Sequence, residues 1–174
     1  MKEKNRVILF SEEDIKNRIK ELGSELTRDY KGKDVLVISL LRGSFIFCAD
    51  LIREMDLQLE VDFLTTASYG HGEKSSGKVD IISDIRAKVE GRDVLIVDDI
   101  VDSGHTLKAV VEHIKDKNPK SLKTCVLLDK PSRREVEVEA DYTGFEIEDV
   151  FIVGYGLNYG DYMRNIPYIF TYES

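Results

Sequence analysis

A chain of 174 residues is long enough for one compact domain and hardly for two. One third of the residues are charged and 42% are hydrophobic, which is the composition of a soluble globular protein. The net charge of -8 argues against a protein that binds nucleic acid through a basic face, although it leaves room for a local basic pocket for a small phosphorylated ligand.

The N-terminal segment and the cysteines indicate the cellular compartment. Residues 7–10 form an apolar run that is too short for a signal peptide or a membrane span. Cys48 and Cys125 each lie in an apolar stretch without CxxC or zinc-type spacing, so we expect two buried thiols. The three histidines show no metal-ligand spacing. We therefore expect a cytoplasmic protein that is not attached to a membrane.

The first half of the chain alternates between strand and helix patterns. A short strand at residues 7–10 is followed by Ser11 and, three residues later, by Asp14, a pairing that predicts a capped helix start. Apolar residues at helical spacing then extend from Ile15 to Leu26. The next predicted elements are an apolar strand at 34–41, typical of a parallel sheet covered on both faces, a helix from 44 to about 55, and a strand at 57–67.

The second half of the chain opens with residues 68–77, whose glycines and serines predict a mobile loop. The predicted elements beyond it are strands at 79–82, 92–98, 121–128 and 151–153, and a helix at about 104–117. Strands that alternate with helices indicate a doubly wound α/β domain.

The most informative segment spans residues 94–107, where an apolar strand leads into Asp98 and Asp99, a short loop with one glycine, and a helix start. Parallel sheets bind ligands beyond the carboxyl ends of their strands. A helix N-terminus at that place presents unpaired N–H groups and a positive dipole end. The amides of residues 103–106, with the hydroxyls at both ends of that stretch, are therefore predicted to hold a phosphate group. Gly104 allows the close backbone approach that such a site needs.

The residues alone leave other interpretations of this segment open. It lacks the GxxxxGK[ST] pattern of ATP-binding loops and the GxGxxG pattern of dinucleotide sites. Asp98 and Asp99 would repel a phosphate unless they face something else, such as a ribose diol or a magnesium ion. A plainer alternative is an acidic connection between strand and helix, in which Asp102 only caps the helix.

The same segment resembles the signature of type I phosphoribosyltransferases that binds phosphoribosyl pyrophosphate (PRPP). That signature consists of an apolar strand, two acids, two apolar residues, Asp, Ser or Thr, Gly, one further residue and Thr, and the match is complete in form. The resemblance implies an α/β fold with a mostly parallel central sheet flanked by helices and a small hood from the terminal segments. It also implies a single domain over residues 1–174, with a flexible catalytic loop at about 67–80.

A second segment resembles hypoxanthine-guanine phosphoribosyltransferases in particular. Leu41, Arg42 and Gly43 resemble the loop that binds pyrophosphate, in which the equivalent of the Leu41-Arg42 peptide bond can be cis. On its own, Arg42 would also suit an exposed arginine near a helix start.

Further matches to this family imply the residues that close over the site and read the base. Ser68 and Tyr69 would begin the loop that covers the reacting centre. Lys130 would donate to O6 of the purine, Phe151 would stack on the ring, and the backbone of Ile152 would read the base edge. Without the resemblance, Lys130 would suit a solvated strand end and Phe151 an ordinary core position.

The C-terminal region implies the last ligand contacts and one departure from the family pattern. Arg164 would approach pyrophosphate. Asn158 stands where the family usually carries an Asp that helps to bind magnesium, and it would share the Mg²⁺ site with Asp98 and Asp99. Since magnesium favours carboxylates, we expect a raised magnesium requirement and slow turnover unless another residue compensates.

The resemblance also implies how the reaction is divided among these residues. Asp102 would exchange a proton with N7 of the base, and Lys130 and Arg164 would complete the catalytic set. The substrate-binding residues around Asp102 would be Asp98, Asp99, Ile100, Ser103, Gly104, His105 and Thr106, with His105 contributing only its amide.

The predicted function is magnesium-dependent transfer of the phosphoribosyl group from PRPP to hypoxanthine, and to guanine, in purine salvage. Two alternatives remain: a transcriptional regulator that keeps the PRPP site, and a phosphoribosyltransferase for another base such as xanthine. The expected partners are the small-molecule substrates and a second copy or more of the chain, as a homodimer or homotetramer, with no nucleic acid and no membrane.

Overall fold

The fold consists of three helices and eight strands in the computed structural model, which describes residues 4–68 and 78–174. The helices are α1 (Glu12–Asp29), α2 (Phe45–Arg53) and α3 (His105–Lys115), with a short helical turn at Pro131–Arg133. The strands are β1 (Arg6–Phe10), β2 (Val35–Leu41), β3 (Leu59–Ser68), β4 (Val79–Ser83), β5 (Asp93–Val101), β6 (Ser121–Asp129), β7 (Tyr142–Glu146) and β8 (Ile169–Tyr172).

Six strands form the central sheet in the order β4-β3-β2-β5-β6-β7. All neighbouring strands are parallel except β4, which pairs antiparallel with β3 at one edge. This arrangement confirms the predicted α/β fold with a mostly parallel sheet.

The central strands are apolar throughout because they are buried on both faces. In β2, Val35 and Val37 pack in the core that contains α1 and α2, whereas Leu36 and Ile38 pack in the core that contains α3. Because successive side chains of a strand point to opposite faces, one continuous apolar run contributes residues to both cores.

The helices leave the sheet on opposite faces beside its centre. The chain passes from β2 into α2 on one face and from β5 into α3 on the other, although β2 and β5 are paired neighbours. Such a divergence opens a crevice beyond the carboxyl ends of the two strands, where doubly wound folds bind ligands.

Helix α1 begins as its sequence predicts. The Ser11 hydroxyl accepts a hydrogen bond from the amide of Asp14, and the Asp14 carboxylate accepts one from the amide of Ser11, both at 3.0 Å. This reciprocal capping satisfies two otherwise unpaired amides, and the apolar face from Ile15 to Leu26 packs in the core.

The terminal segments meet in a two-stranded antiparallel sheet of β1 and β8, which is the predicted hood. The predicted strand at residues 151–153 is wrong. Only Val153 makes an isolated bridge, to Phe170 of β8, and the stretch is apolar because Ile152 and Val153 are buried beneath the hood.

Other boundaries differ from the prediction in ways that matter for the site. Strand β5 extends to Val101 rather than ending at Asp98 as predicted, so Asp99 also lies within the strand. Strands β3 and β4 pair as far as Ser68 and Val79, which shortens the predicted 67–80 loop at both ends, and residues 69–77 lie outside the described part.

The two cysteines agree with the prediction of buried thiols. Cys48 and Cys125 are both buried and unbridged. Within residues 4–68 and 78–174, none of the helices combines the length and the apolar character that crossing a bilayer requires.

Candidate active site

A cavity of about 270 Å³ occupies the crevice beyond the carboxyl ends of β2 and β5. Its walls are the loop after β2 on one side and the segment joining β5 to α3 on the other. The lining residues are Leu40, Leu41, Arg42, Gly43, Thr66, Asp98, Asp99, Ile100, Val101, Asp102, Ser103, Gly104, Thr106 and Leu107.

The loop after β2 is anchored from below by buried hydroxyl groups. Its Leu41-Arg42 peptide bond is cis. Ser44, which follows Gly43, is fully buried, and its Oγ lies 2.7 Å from Oγ of Ser39 and also donates to the carbonyl of Leu40. These bonds tie the end of the loop to the strand from which it emerges.

The two acids at the end of β5 form the floor of the cavity. Asp98 is only 8% exposed and accepts a hydrogen bond from the amide of Asp99 at 2.8 Å. Asp99 in turn accepts one from the amide of Ile100 at 2.8 Å. Burial, together with the neighbouring Asp99 charge, raises the pKa of Asp98 well above its ordinary value.

This pair of acids has the chemistry of a magnesium site. Magnesium in proteins is usually held by one or two carboxylates together with substrate phosphates rather than by a full protein cage. Within the described residues there is no cluster of three or more histidine, cysteine or acidic side chains suited to a metal. The positive charge of an ion held by Asp98 and Asp99 would favour the ionised form of Asp98, against the burial and the Asp99 charge that raise its pKa.

The segment after β5 presents unpaired amides at the start of α3. Gly104 is the N-cap residue of this 11-residue helix and has a φ of 92°, a left-handed conformation that glycine adopts readily. Within the described residues, the amides of Ser103, Thr106 and Leu107 make no hydrogen bond, and neither does that of Gly104. Free amides at a helix N-terminus bind anions, which agrees with the predicted phosphate site.

Asp102 does not cap the helix, so the plainer interpretation of this acid is wrong. Its Oδ1 instead accepts a hydrogen bond from Nε of Arg133 at 3.2 Å, and Nη1 of Arg133 lies 3.5 Å from Oδ2 of Asp149. Asp102 is thus an exposed carboxylate on the cavity wall with a cationic neighbour.

Comparison with known proteins decides the family. The family model described as "phosphoribosyl transferase domain" matches residues 9–160. The hypoxanthine-guanine phosphoribosyltransferase of Bacillus subtilis is 49% identical over 169 residues, covering 97% of this chain and 94% of the relative. The chain belongs to the phosphoribosyl transferase family. The predicted resemblance to hypoxanthine-guanine phosphoribosyltransferases is confirmed.

Other relatives of this phosphoribosyltransferase agree with that assignment. A crystal structure of a hypoxanthine phosphoribosyltransferase from Staphylococcus aureus superimposes with a TM-score of 0.93 at 46% identity, covering 96% of this chain and 91% of that one. The bifunctional protein TilS/HprT of Listeria monocytogenes is 51% identical over 162 residues, 93% of this chain. The chain spans only 25% of the length of that Listeria protein.

The predicted base-reading residues of the phosphoribosyltransferase lie outside the lining of the cavity. Lys130 is only 7% exposed, and its amide donates to the carbonyl of Val101 at 2.9 Å, which places it directly next to the end of β5. Phe151 is 57% exposed and contacts Tyr159 edge to face. Within the described residues, no hydrogen bond uses the backbone of Ile152.

The C-terminal residues approach the cavity through Gly156. The amide of Gly156 donates to the carbonyl of Arg164 at 2.9 Å, and Nη1 of Arg164 donates to the carbonyl of Gly156 at 2.7 Å. Gly156 itself lies against the Gly43 carbonyl. Asn158 is exposed, and its Nδ2 donates to the carbonyl of Gly160 at 2.6 Å.

The structure therefore brings together part of the predicted set. The members that line one cavity are Leu41, Arg42, Gly43, Asp98, Asp99, Ile100, Asp102, Ser103, Gly104 and Thr106. The members outside its lining are His105, Lys130, Phe151, Ile152, Asn158 and Arg164. The side chain of Ser68 and the whole of Tyr69 lie outside the described part of the chain.

Three residues at the site, Thr66, Arg133 and Arg134, had no role predicted from the sequence. Thr66 lines the cavity from β3, and the general rule that ligands bind at the carboxyl ends of parallel strands was the available signal. The two arginines contact Asp102 from the segment after Lys130, where no spacing pattern connects them to β5.

Proposed function

We propose that this chain transfers the 5-phosphoribosyl group of PRPP to N9 of hypoxanthine or guanine in purine salvage. In this reaction the bond from C1′ to pyrophosphate breaks, the bond from C1′ to N9 forms, and the base loses one proton. The observation that carries the proposal is the cavity between the Leu41-Arg42 loop and the amides of Ser103, Gly104 and Thr106, which make no hydrogen bond within the described residues.

The phosphate of the ribose would occupy the start of α3. The free amides of Ser103, Gly104 and Thr106 would donate to it, and the helix dipole favours its negative charge. Binding energy obtained at this distant group would fix C1′ between the leaving pyrophosphate and the base.

The base would lie between Lys130 and Phe151, next to Asp102. The ammonium group of Lys130 would donate to a 6-oxo group, whereas the 6-amino group of adenine cannot accept that bond. Phe151 offers an exposed ring for stacking, and the unbonded backbone of Ile152 offers donors and acceptors to the base edge. The carboxylate of Asp102 would take the proton from N7 and return it in the reverse direction.

Pyrophosphate would leave toward the loop of Arg42 and Gly43. Arg42 would stabilise the charge that builds on the departing oxygen. Arg164 is held by the carbonyl of Gly156, next to Gly43, and would act on the same group. Ser68 and Tyr69 would close over the reacting centre and exclude water.

Asp98, Asp99 and Asn158 would hold Mg²⁺ in this proposal. The bound ion supplies positive charge that stabilises the leaving pyrophosphate. Asp98 and Asp99 would also orient the ribose hydroxyls, for which their position on the cavity floor is suited.

The proposal also includes the oligomeric state of the chain and its cellular location. Phe45 and Tyr162 are exposed aromatic residues at a largely apolar surface depression that also includes Ile46 and Met163. We propose that this surface is covered in a cytoplasmic homodimer or homotetramer, because large exposed apolar patches mark interfaces. Light scattering on the purified protein should give two or four times the mass of the 174-residue chain.

A panel of bases tests the proposed activity. Hypoxanthine, guanine, xanthine, adenine and uracil are each incubated with PRPP, magnesium and the protein, and the nucleotide products are separated. Inosine and guanosine monophosphates are the expected products. A product from xanthine alone would favour the rival specificity, and no product together with salt-dependent binding to DNA or RNA would favour a regulator.

A further inference from the structure

The segment after the Pro131–Arg133 turn folds back over the outer side of the phosphate-binding loop. We define the phosphate loop as residues 102–105 and the bracing segment as residues 134–138. Arg134 in the bracing segment is 17% exposed, and its guanidinium makes three hydrogen bonds. Nη1 donates to the carbonyl of Asp102 at 2.9 Å, Nε to the carbonyl of Val138 at 3.0 Å, and Nη2 to Oδ1 of Asp129 at 2.7 Å.

Backbone and side-chain bonds add to this contact. The carbonyl of Ser103 accepts a hydrogen bond from the amide of Glu135 at 2.9 Å and a longer one from Val136 at 3.4 Å. Oε2 of Glu135 lies 2.7 Å from Nε2 of His105. The first residue of α3 is thereby also tied to the bracing segment.

Packing against Gly104 completes the contact between the two segments. A Cβ built on Gly104 would lie 2.5 Å from Cγ1 of Val138, 3.0 Å from Cδ of Arg134 and 3.2 Å from Cγ2 of Val136. No side chain larger than hydrogen fits at this position, and the loop has no free space in which to shift outward.

These contacts bind the carbonyls of the phosphate loop but not its amides. The carbonyls of Asp102 and Ser103 are bound by the bracing segment, whereas the amides of Ser103 and Gly104 stay unbonded within the described residues. A loop whose carbonyls are held on one side keeps its amides available for an anion on the other. The bond to Asp129 also joins this loop to the strand end that carries Lys130.

We propose that Arg134 is a positioning residue that holds the phosphate loop in its anion-binding conformation. The inference rests on the proposed function, since it assigns the 5′-phosphate to this loop. The planar fork of Arg134 donates from three nitrogens in fixed directions, whereas the three N–H donors of a lysine diverge from one nitrogen and cannot span acceptors on three separate segments. Arg134→Lys therefore keeps the charge beside Asp129 and loses the geometry that fixes the carbonyl of Asp102.

The matched control is Arg92→Lys at the opposite end of the sheet. Arg92 has a similar exposure of 16% and also binds three acceptors, in its case two acids and one carbonyl: Asp34 at 3.1 Å, Glu60 at 2.8 Å and the Lys88 carbonyl at 3.1 Å. It precedes β5, whereas the cavity lies beyond the carboxyl end of that strand. A loss of general stability would therefore affect both variants, and a loss of phosphate positioning only Arg134→Lys.

The experiment compares binding of inosine 5′-monophosphate with binding of pyrophosphate, both measured by calorimetry in the presence of magnesium. For Arg134→Lys we expect the Kd of the nucleotide and the KM of PRPP to rise about tenfold, the effect of a lost hydrogen bond to an anion. The Kd of pyrophosphate should stay within about twofold, because other segments form its site. Arg92→Lys should leave all three constants within about twofold. Arg134→Met should weaken nucleotide binding further, and Arg134→Lys decides the question if the methionine variant does not fold.

Two results would overturn the inference. One is unchanged nucleotide binding and KM for PRPP in folded Arg134→Lys. The other is an equal weakening of nucleotide and pyrophosphate binding. Failure of the proposed function is a separate outcome, in which the wild-type chain itself forms no nucleotide from PRPP and any base of the panel.

Discussion

The carboxylate of Asp99 lies directly against the backbone of Gly43, on the opposite wall of the cavity. A Cβ built at position 43 would stand 1.9 Å from Oδ2 of Asp99, which is far inside van der Waals contact. The loop proposed to receive pyrophosphate and the segment of β5 proposed to hold magnesium and ribose are therefore fitted to each other. Only glycine, whose side chain is a hydrogen atom, leaves room for the Asp99 carboxylate at this position.

Gly43→Ala should reduce activity far more than stability. The overlapping atom belongs to the end of a side chain, so Asp99 can rotate away and give up its bond to the amide of Ile100 at little cost to folding. A misplacement of about 1 Å in an active site can lower the rate about 10²-fold, and we expect a loss of that order in kcat/KM. Steady-state kinetics and thermal unfolding of the same sample give the two quantities.

The control for this prediction is a double-mutant cycle with Asp99→Ala. If Gly43→Ala acts by displacing the carboxylate, the double variant should be no less active than Asp99→Ala alone. Additive losses would place the damage in the pyrophosphate loop itself and contradict the prediction.

Gly156→Ala should instead destabilise the fold. Gly156 has a φ of 97°, and its Cβ would stand 2.3 Å from the carbonyl oxygen of Gly43, a backbone atom that cannot rotate away. Left-handed strain and overpacking together should lower the free energy of unfolding by about 2–4 kcal/mol. Chemical denaturation measures it.

Gly32→Ala separates the two causes of that loss. Gly32 has a φ of 77°, and a Cβ added there would meet no heavy atom within 4 Å, so the substitution should cost only the left-handed strain of about 1–2 kcal/mol. Equal losses in Gly32→Ala and Gly156→Ala would show that the contact with Gly43 contributes nothing.

Asp102→Asn should slow nucleotide formation without a comparable change in the KM of PRPP. The amide cannot take a proton from N7 at neutral pH, and loss of a general base typically costs about 10²-fold or more in rate. Asp149→Asn is the matched control, since Asp149 shares the Arg133 guanidinium with Asp102 but does not line the cavity. A rate loss of equal size in both variants would assign the effect to Arg133 instead of to proton transfer.

The sequence predicts β1 to β6 correctly. The strongest signals are in β2 and β5, which are continuously apolar because both of their faces are buried. Strands β7 and β8 were not predicted, because β7 is interrupted by Gly144 and the four residues of β8 pair with β1 at the other end of the chain. A strand was wrongly predicted at residues 151–153 because burial under the hood gives the same apolar signal as strand pairing.

Part of the candidate site is also visible in the sequence, and part arises only when distant segments meet in the fold. Contiguous groups such as Asp98, Asp99 and the amides after Asp102 are visible as a motif. The contacts of Arg134 are not, because two of its three acceptors are backbone carbonyls, which every residue carries and no residue type marks. The path of the bracing segment determines which carbonyls Arg134 binds.

Asn158→Asp should lower the magnesium concentration that gives half-maximal activity. A further carboxylate favours magnesium, and one unit charge at about 4 Å from a divalent ion in water contributes about 2 kcal/mol, or about 30-fold in affinity. The change removes the Nδ2 bond to the carbonyl of Gly160, but both groups lie at an exposed turn where water can replace it. Asn17→Asp adds the same charge at an exposed position of α1, outside the lining of the cavity. A magnesium titration of the three proteins should therefore shift only for Asn158→Asp, and an equal shift for Asn17→Asp would point to a general field of negative charge rather than to ligation.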